Sequence, residues 1–301
     1  MSNTPQEDVD KYLTGLAVER RLSDHTIKAY RRDIKKLFEF SEQRGLMLWQ
    51  GLNNHTVRLF SASLNANGLH AKSIQRILSA GRGLSQYLIQ QRQITTNPFD
   101  DVRAPKAEKR LPKTLSVDQV TSLIEIDIND PLSFRDKAVM ELFYSSGLRL
   151  AELCSLDLND LNLPDKIVRV TGKGNKTRDL PIGRQADKAI REWLMQRNNL
   201  PLKDYDAVFV SIHGNRINPR TVQQRVKYWA ARQGIEISVS PHMLRHSFAS
   251  HMLESSGELR AVQELLGHSN ISTTQICTHL DFQHLAQVYD DAHPRARKNK
   301  K

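Results

Sequence analysis

"KIVRVTGKGNKTRDLPI", residues 166–182, decides the class of the fold. Its outer parts, "KIVRV" (166–170) and "RDLPI" (178–182), are strand-like, and "GKGNKT" between them reads as a turn. The segments on either side carry mostly helical spacing, so the chain is expected to be mainly α with a small β-sheet. Lys173 sits on the glycine-flanked turn. The segment is not a phosphate-binding P-loop, because it lacks GxxxxGK[ST] and no helix follows directly. A lysine at such a tip either reaches into a groove or is an ordinary exposed turn residue.

Upstream of the hairpin lies "GLRLAELCSL", residues 147–156. Gly147 ends a helix or permits a tight turn. Arg149 then starts the next helix, with Glu152 one turn on. Arginine offers a forked, permanently charged donor set that suits a phosphate. The same pair also reads as a common surface salt bridge. Further helices are expected over Val117–Ile126, capped by Ser116, and over Arg135–Tyr144.

Downstream, "AVFVS" (207–211) is expected to be a third short strand, and from Asn218 the chain reads almost wholly helical. In "SPHMLRHSFASHML", residues 240–253, Ser240 is an N-cap and Pro241 suits the first helical position. His242 and Arg245, three apart, share a face. His242 falls in the first turn, where the helix dipole and free N–H groups favour an anion. His246 and His251 read as packing or hydrogen-bonding residues. His242 and His246 could hold a metal by spacing, but there is no HExxH pattern and no third ligand, so no metal is expected. In "ELLGHSN" (264–270), Gly267 ends a helix and His268 follows it, the usual place of a cap.

Residues 1–100 read as four to five short helices, the second capped by Ser23. Its apolar face carries Ile27, Tyr30, Ile34, Leu37 and Phe38. Its other face carries Lys28, Arg31, Arg32, Lys35 and Lys36, equally a solvated surface or a DNA contact. "NPFDDVRAPKAEKRLPK" (97–113) has three prolines and five basic residues and reads as a linker. The division is a helical domain over 1–100, a linker over 101–113 and a mixed domain over 114–301.

The gross numbers agree. The 301 residues suggest two domains. Hydrophobic residues are 39% and mean hydropathy is −0.52, with no run of the 18 or so apolar residues that a membrane span needs. The polar, acidic N-terminus predicts no secretory signal. Two cysteines, Cys154 and Cys277, exclude a disulfide framework and a four-cysteine zinc site, and fit a reducing cytoplasm. A net charge of +11 makes a polyanion such as nucleic acid the leading partner class.

Taken in order, these pieces resemble the tyrosine recombinase (phage integrase) family. The matching elements are Arg149 in GLRxxEL, Lys173 in the hairpin, His242 and Arg245 in HxxRH, and His268 in LLGH. The likeness extends into "RLSDHTIKAYRRDIKKL" (21–37), which is similar to the family's helical core-binding domain. It thus covers nearly the whole chain. The tail "THLDFQHLAQVYDDAHPRARK" (278–298) is similar to the branch that resolves chromosome dimers.

The resemblance implies an N-terminal SAM-like core-binding domain and a C-terminal catalytic domain, closing as a C-shaped clamp around double-stranded DNA. It implies a cytoplasmic, cofactor-free enzyme of site-specific recombination and DNA integration. Such an enzyme would work with a XerD-like recombinase in a heterotetramer to resolve chromosome and plasmid dimers at cell division. Arg149 and Arg245 would hold the non-bridging phosphate oxygens, and Lys173 would protonate the leaving 5′ oxygen. His242 would assist as general acid/base, His268 would hydrogen-bond the phosphate, and a tyrosine would attack to form a 3′-phosphotyrosyl link. The tail would dock on the partner.

One position departs from the family. "TTQICTHLDF" (273–282) aligns with TTQIYTHLDF, so Cys277 occupies the slot of the nucleophilic tyrosine. Bond lengths put a cysteine sulfur roughly 3–4 Å nearer its own backbone than a tyrosine oxygen. A thiolate forms more easily than a phenolate. In-line attack, however, loses about 10²-fold for a 1 Å error, so cleavage by this chain is expected to be lost or severely reduced. A phosphatase-type CxxxxxR would need arginine at 283, where Gln283 stands. Tyr289, twelve residues on, falls in the tail, and Cys154 reads as packing. Two other readings stay open: a DNA-binding scaffold that activates a partner recombinase, and a type IB topoisomerase-like activity.

Overall fold

The computed structural model describes residues 4–20, 22–46, 49, 51–106, 114–172, 177–266, 288–289 and 292–295. They form two compact units, Met1–Arg110 and Leu111–Lys301.

The first unit holds four helices: α1 (Pro5–Val18), α2 (Asp24–Glu42), α3 (Asn54–Ala66) and α4 (Ala71–Gln90). Short polar residues start them. Thr4 and Glu7 form a reciprocal capping box on α1, and Ser23 and Asn53 accept from the backbones of Thr26 and Thr56. The apolar stripe of α2 turns inward at Ile34 and Leu37, onto Ile77 and Leu84 of α4 among others. A buried carboxylate joins the same two helices: Asp33 receives both Nε and Nη2 of Arg76, at 2.7 and 2.9 Å.

The expected linker begins later than its prolines suggest. Phe99 and Val102 are buried in the first unit, and Arg82 donates to both of their carbonyls at 3.2 Å. The Phe99 ring rests on Gly81 of α4, where a β-carbon would meet it at 2.3 Å. Two apolar side chains in a polar run were enough to dock it. Residues 107–113 lie outside the described residues.

The second unit is built around α6 (Pro131–Ser146), which is buried along most of its length. Against it pack α5 (Val117–Ile124), α8 (Arg184–Arg197), α9 (Pro219–Arg232) and α10 (Pro241–Ser256). Each large apolar side chain buried here, such as Phe143 or Trp193, contributes roughly 2–3 kcal/mol. Between α6 and α8 come α7 (Leu150–Ser155) and three antiparallel strands: β1 (Leu161–Asn162), β2 (Ile167–Thr171) and β3 (Thr177–Pro181), in the order β1-β2-β3. The hairpin pairs Ile167 with Pro181 and Thr171 with Thr177. Val168, Val170 and Leu180 face inward, while Arg169 and Asp179 pair across the outer face at 2.8 Å. The final described helix before the tail is α11 (Leu259–Leu266).

The expected third strand at 207–211 does not join this sheet. Among the described residues it makes only single bridges, Asp157 to Ala207 and Val210 to Arg216. Ala207, Val208, Phe209 and Val210 are buried because the segment runs through the core, so its apolar character came from burial rather than from a ladder.

The described part of the tail packs on its own unit. Tyr289, Ala292 and His293 are buried, His293 Nε2 lies 3.0 Å from the Tyr144 carbonyl, and Arg295 forms a forked pair with buried Glu141. No described helix is long and apolar enough to cross a membrane.

Candidate functional site: a cluster of three arginines

The end of α6 sets the geometry. Gly147 adopts φ 58, the left-handed conformation that closes a helix, and its carbonyl turns toward α10. Its missing side chain leaves room for the Phe248 ring, which a β-carbon would meet at 2.5 Å. Leu148 is buried, and Arg149 follows in extended backbone as the N-cap of α7.

Glu152, three residues into that helix, reaches back. Its Oε2 accepts from the Arg149 backbone N–H at 2.8 Å, and its Oε1 accepts from Arg149 Nη1 at 2.8 Å. Arg178 on β3 adds a forked pair to the same carboxylate, with both bonds at 2.9 Å. Glu152 is only 4% exposed, so this is not the exposed salt bridge that the sequence allowed. Burial alone would raise its carboxyl pKa. The hydrogen bonds from Arg178, and then those from Arg149, outweigh burial and hold it below the usual carboxylate range.

Arg245 comes from the second turn of α10. Its Nη1 donates to the Gly147 carbonyl and its Nη2 to the Leu266 carbonyl at 2.6 Å. Arg149 Nη2 reaches the same Leu266 carbonyl at 3.3 Å. Leu266 ends α11, where a helix leaves carbonyls without internal partners. The two expected phosphate ligands therefore meet at one oxygen. Burial, and next the neighbouring Arg149, pull the Arg245 guanidinium down to about 10. It remains a cation at neutral pH.

Two guanidinium groups thus hold one carboxylate and a third, Arg245, meets Arg149 at the Leu266 carbonyl, which leaves an excess of positive charge. Such a site favours an anion with several oxygens. His242 is exposed on the first turn of α10, whose N-cap Ser240 accepts from the Met243 N–H at 3.3 Å. Lys173, His268 and Cys277 lie outside the described residues.

Arg178 was not singled out from the sequence. Its register carried a signal: it sits opposite Val170 and two residues before Leu180, on the buried face of the hairpin. An arginine there needs an acidic partner. Cys154 is buried, and desolvation raises its thiol to about 11, in keeping with packing. On α2, Lys28 pairs with Asp24 and Lys35 with Glu39, both at 3.8 Å, and Arg31 with Asp10. Arg32 is exposed and Lys36 half-buried.

Comparison with known proteins agrees over the full length. Residues 113–284 match the phage integrase family, and residues 9–92 match the phage integrase N-terminal SAM-like domain. The chain is 51% identical to tyrosine recombinase XerC of Alcanivorax borkumensis, over 99% of this chain and 97% of that protein. It is 50% identical to XerC of Escherichia coli O127:H6, over 97% and 98%. Among solved structures, the XerH site-specific recombinase bound to a palindromic difH substrate superposes with TM-score 0.71 at 22% identity, covering 96% of this chain and 91% of that one. A lambda integrase (75–356) dimer bound to a COC′ core site gives 0.68 at 20%, covering 91% and 99%. Both share the fold. With two family matches and half-identity to XerC proteins along nearly its whole length, this chain belongs to the phage integrase family of tyrosine recombinases.

Proposed function

We propose that this chain is a XerC-type recombinase that binds and positions a duplex recombination site but whose own strand cleavage is lost or severely reduced at Cys277. The observation that carries the reading is the convergence of Arg149 and Arg245 on the Leu266 carbonyl, an oxygen acceptor beside the pair. Donors that meet at one carbonyl oxygen are spaced for the non-bridging oxygens of a phosphodiester. Fixed there, they stabilise the charge of the pentacoordinate transition state without reorganising.

The remaining steps belong to the family chemistry. Lys173 protonates the 5′ oxygen as it leaves, His242 moves a proton at the phosphate and His268 donates to it. A tyrosine at 277 would form a 3′-phosphotyrosyl bond that conserves the phosphodiester energy for rejoining. Cysteine keeps a nucleophile there but sets it several ångströms back. The natural setting is a cytoplasmic heterotetramer with a XerD-like partner on duplex DNA, acting on chromosome dimers at cell division. A topoisomerase-like activity would need the same nucleophile and is disfavoured for the same reason.

A nicked suicide substrate tests this. The chain binds the site but yields little covalent adduct, and Cys277→Tyr restores it. With a XerD-like partner on a two-site DNA, one strand pair is cut. Abundant adduct at Cys277 in the unaltered chain overturns the loss. Failure of Cys277→Tyr to form any adduct overturns the assignment of the site. The scaffold reading is the outcome in which the chain, without cleaving, still raises cleavage by the partner.

A further inference from the structure

We propose that Arg178 is a positioning residue for strand cleavage: through Glu152 it holds the N-terminus of α7, and with it Arg149, in register with the β2–β3 hairpin. The inference rests on the reading of Arg149 as a phosphate ligand and adds to it a residue that would not itself touch DNA.

Three observations carry it. First, both Nη atoms of Arg178 are committed to Glu152 in a parallel fork, while its buried Nε finds no acceptor among the described residues. The guanidinium is thus aimed at one carboxylate rather than spread over a network. Second, Glu152 faces two ways. The oxygens that accept from Arg178 also accept from the backbone N–H and Nη1 of Arg149. The carboxylate is a rigid bridge between two arginines, and only the Arg149 side reaches the Leu266 carbonyl. Third, Arg178 is the second residue of β3, immediately past the turn that carries Lys173 in the sequence. The strand that anchors the bridge therefore also carries the return arm of the lysine hairpin. A carboxylate held by the Arg178 fork and by the backbone N–H and Nη1 of Arg149 has little rotamer freedom left, so the Arg149 guanidinium is fixed before DNA arrives. Burial of Glu152 sharpens this, since without Arg178 the carboxylate would keep one cationic partner and lose its orientation.

The bridge makes a specific demand on side-chain shape. Methionine at 178 keeps the apolar stem and removes both bonds. Lysine keeps the charge but not the fork, so it restores charge balance and only part of the orientation.

The test uses the full chain carrying Cys277→Tyr, compared with and without Arg178→Met or Arg178→Lys. Single-turnover adduct formation on a suicide substrate should fall about 10²-fold in the methionine variant, the cost of roughly 1 Å of misplacement. The lysine variant should recover part of that rate. Affinity for the uncleaved site should change less than about twofold, because Arg178 makes no proposed DNA contact. A 5′-bridging phosphorothiolate, whose sulfur leaves without a proton, should not rescue the methionine variant if the defect lies at Arg149. Full rescue would assign it to the lysine side and overturn the proposal. An unchanged cleavage rate, or equal losses in cleavage and binding, would overturn it too. Hydrogen exchange of the Arg149 amide, measured in the chain with Cys277 unaltered, decides independently of the chemistry. Protection should drop in Arg178→Met, and unchanged protection overturns the bridge. Absence of adduct in the parent Cys277→Tyr chain would instead remove the functional reading, and the exchange measurement would still judge the bridge.

Discussion

The Tyr289 hydroxyl lies 2.8 Å from Ser145 Oγ, which itself accepts from the Gly183 N–H at 2.7 Å. The Tyr289 ring is 1% exposed and stacks on His293 with centroids 4.8 Å apart. A tyrosine held this way is a packing element of the second unit and is poorly placed to replace a missing nucleophile. Tyr289→Phe should therefore leave the low level of adduct in the unaltered chain where it is. It should cost about 1 kcal/mol of stability for the lost hydrogen bond. Suicide-substrate trapping and thermal unfolding measure the two effects. Adduct that disappears with Tyr289 would identify it as the nucleophile.

His293 is fully buried between Tyr144, Phe248 and Tyr289, and burial lowers its pKa to about 3 from an ordinary 6.5. The fold therefore holds the neutral ring, and the unfolded chain takes up the proton first as pH falls. Stability from this residue is complete above about pH 6.5 and drains away below it, by about 2 kcal/mol on reaching pH 5. Glu141, paired with Arg295 nearby, is shifted the other way, since burial raises its carboxyl above the usual range. Replacing His293 with asparagine should flatten the dependence of unfolding free energy on pH between 7 and 5. An unchanged slope would mean that His293 does not titrate with unfolding.

Gly147→Ala should disturb the site through its scaffold. The residue must hold φ 58 and would press a methyl into the Phe248 ring. Strain of about 1–3 kcal/mol is expected. Because Arg149 follows two residues later and Arg245 binds the Gly147 carbonyl, cleavage in a Cys277→Tyr chain should fall more than melting temperature alone would explain. Wild-type cleavage in that variant would show that the turn is not rigidly coupled to the arginines.

On α2, three of the five basic residues already face carboxylates in their own unit, whereas Arg32 shows no such pair among the described residues. Arg32→Ala should reduce the log–log salt slope of DNA binding by about 1, and Lys28→Ala by less. Titrations across salt concentrations would separate the two. Equal slopes for both variants would place α2 away from the DNA backbone.

Local chemistry made most of the helices readable. Ser23, Ser116 and Ser240 cap the helices they were expected to cap, and the alternation of Val168 and Val170 marks β2. Fully buried runs were not readable, because an apolar stretch such as 207–211 has no period that separates a strand from a core-crossing segment. Long-range pairing was also hidden. Glu152 and Arg178 are 26 residues apart, and only the folded hairpin turns what looked like a surface ion pair into a buried three-cornered one. The docking of Phe99 and Val102 was masked by the prolines around them. Arg149 and Arg245, which the structure brings together at the Leu266 carbonyl, stood out because each lies in a short motif within two turns of a helix start.

The Leu266 carbonyl has a mechanical consequence. Cys277 follows Leu266 by eleven residues in the sequence, so the root of the segment bearing the nucleophile position is pinned by the two arginines proposed to grip the phosphate. A shift of the C-terminal end of α11 would therefore move the one acceptor that Arg149 and Arg245 share.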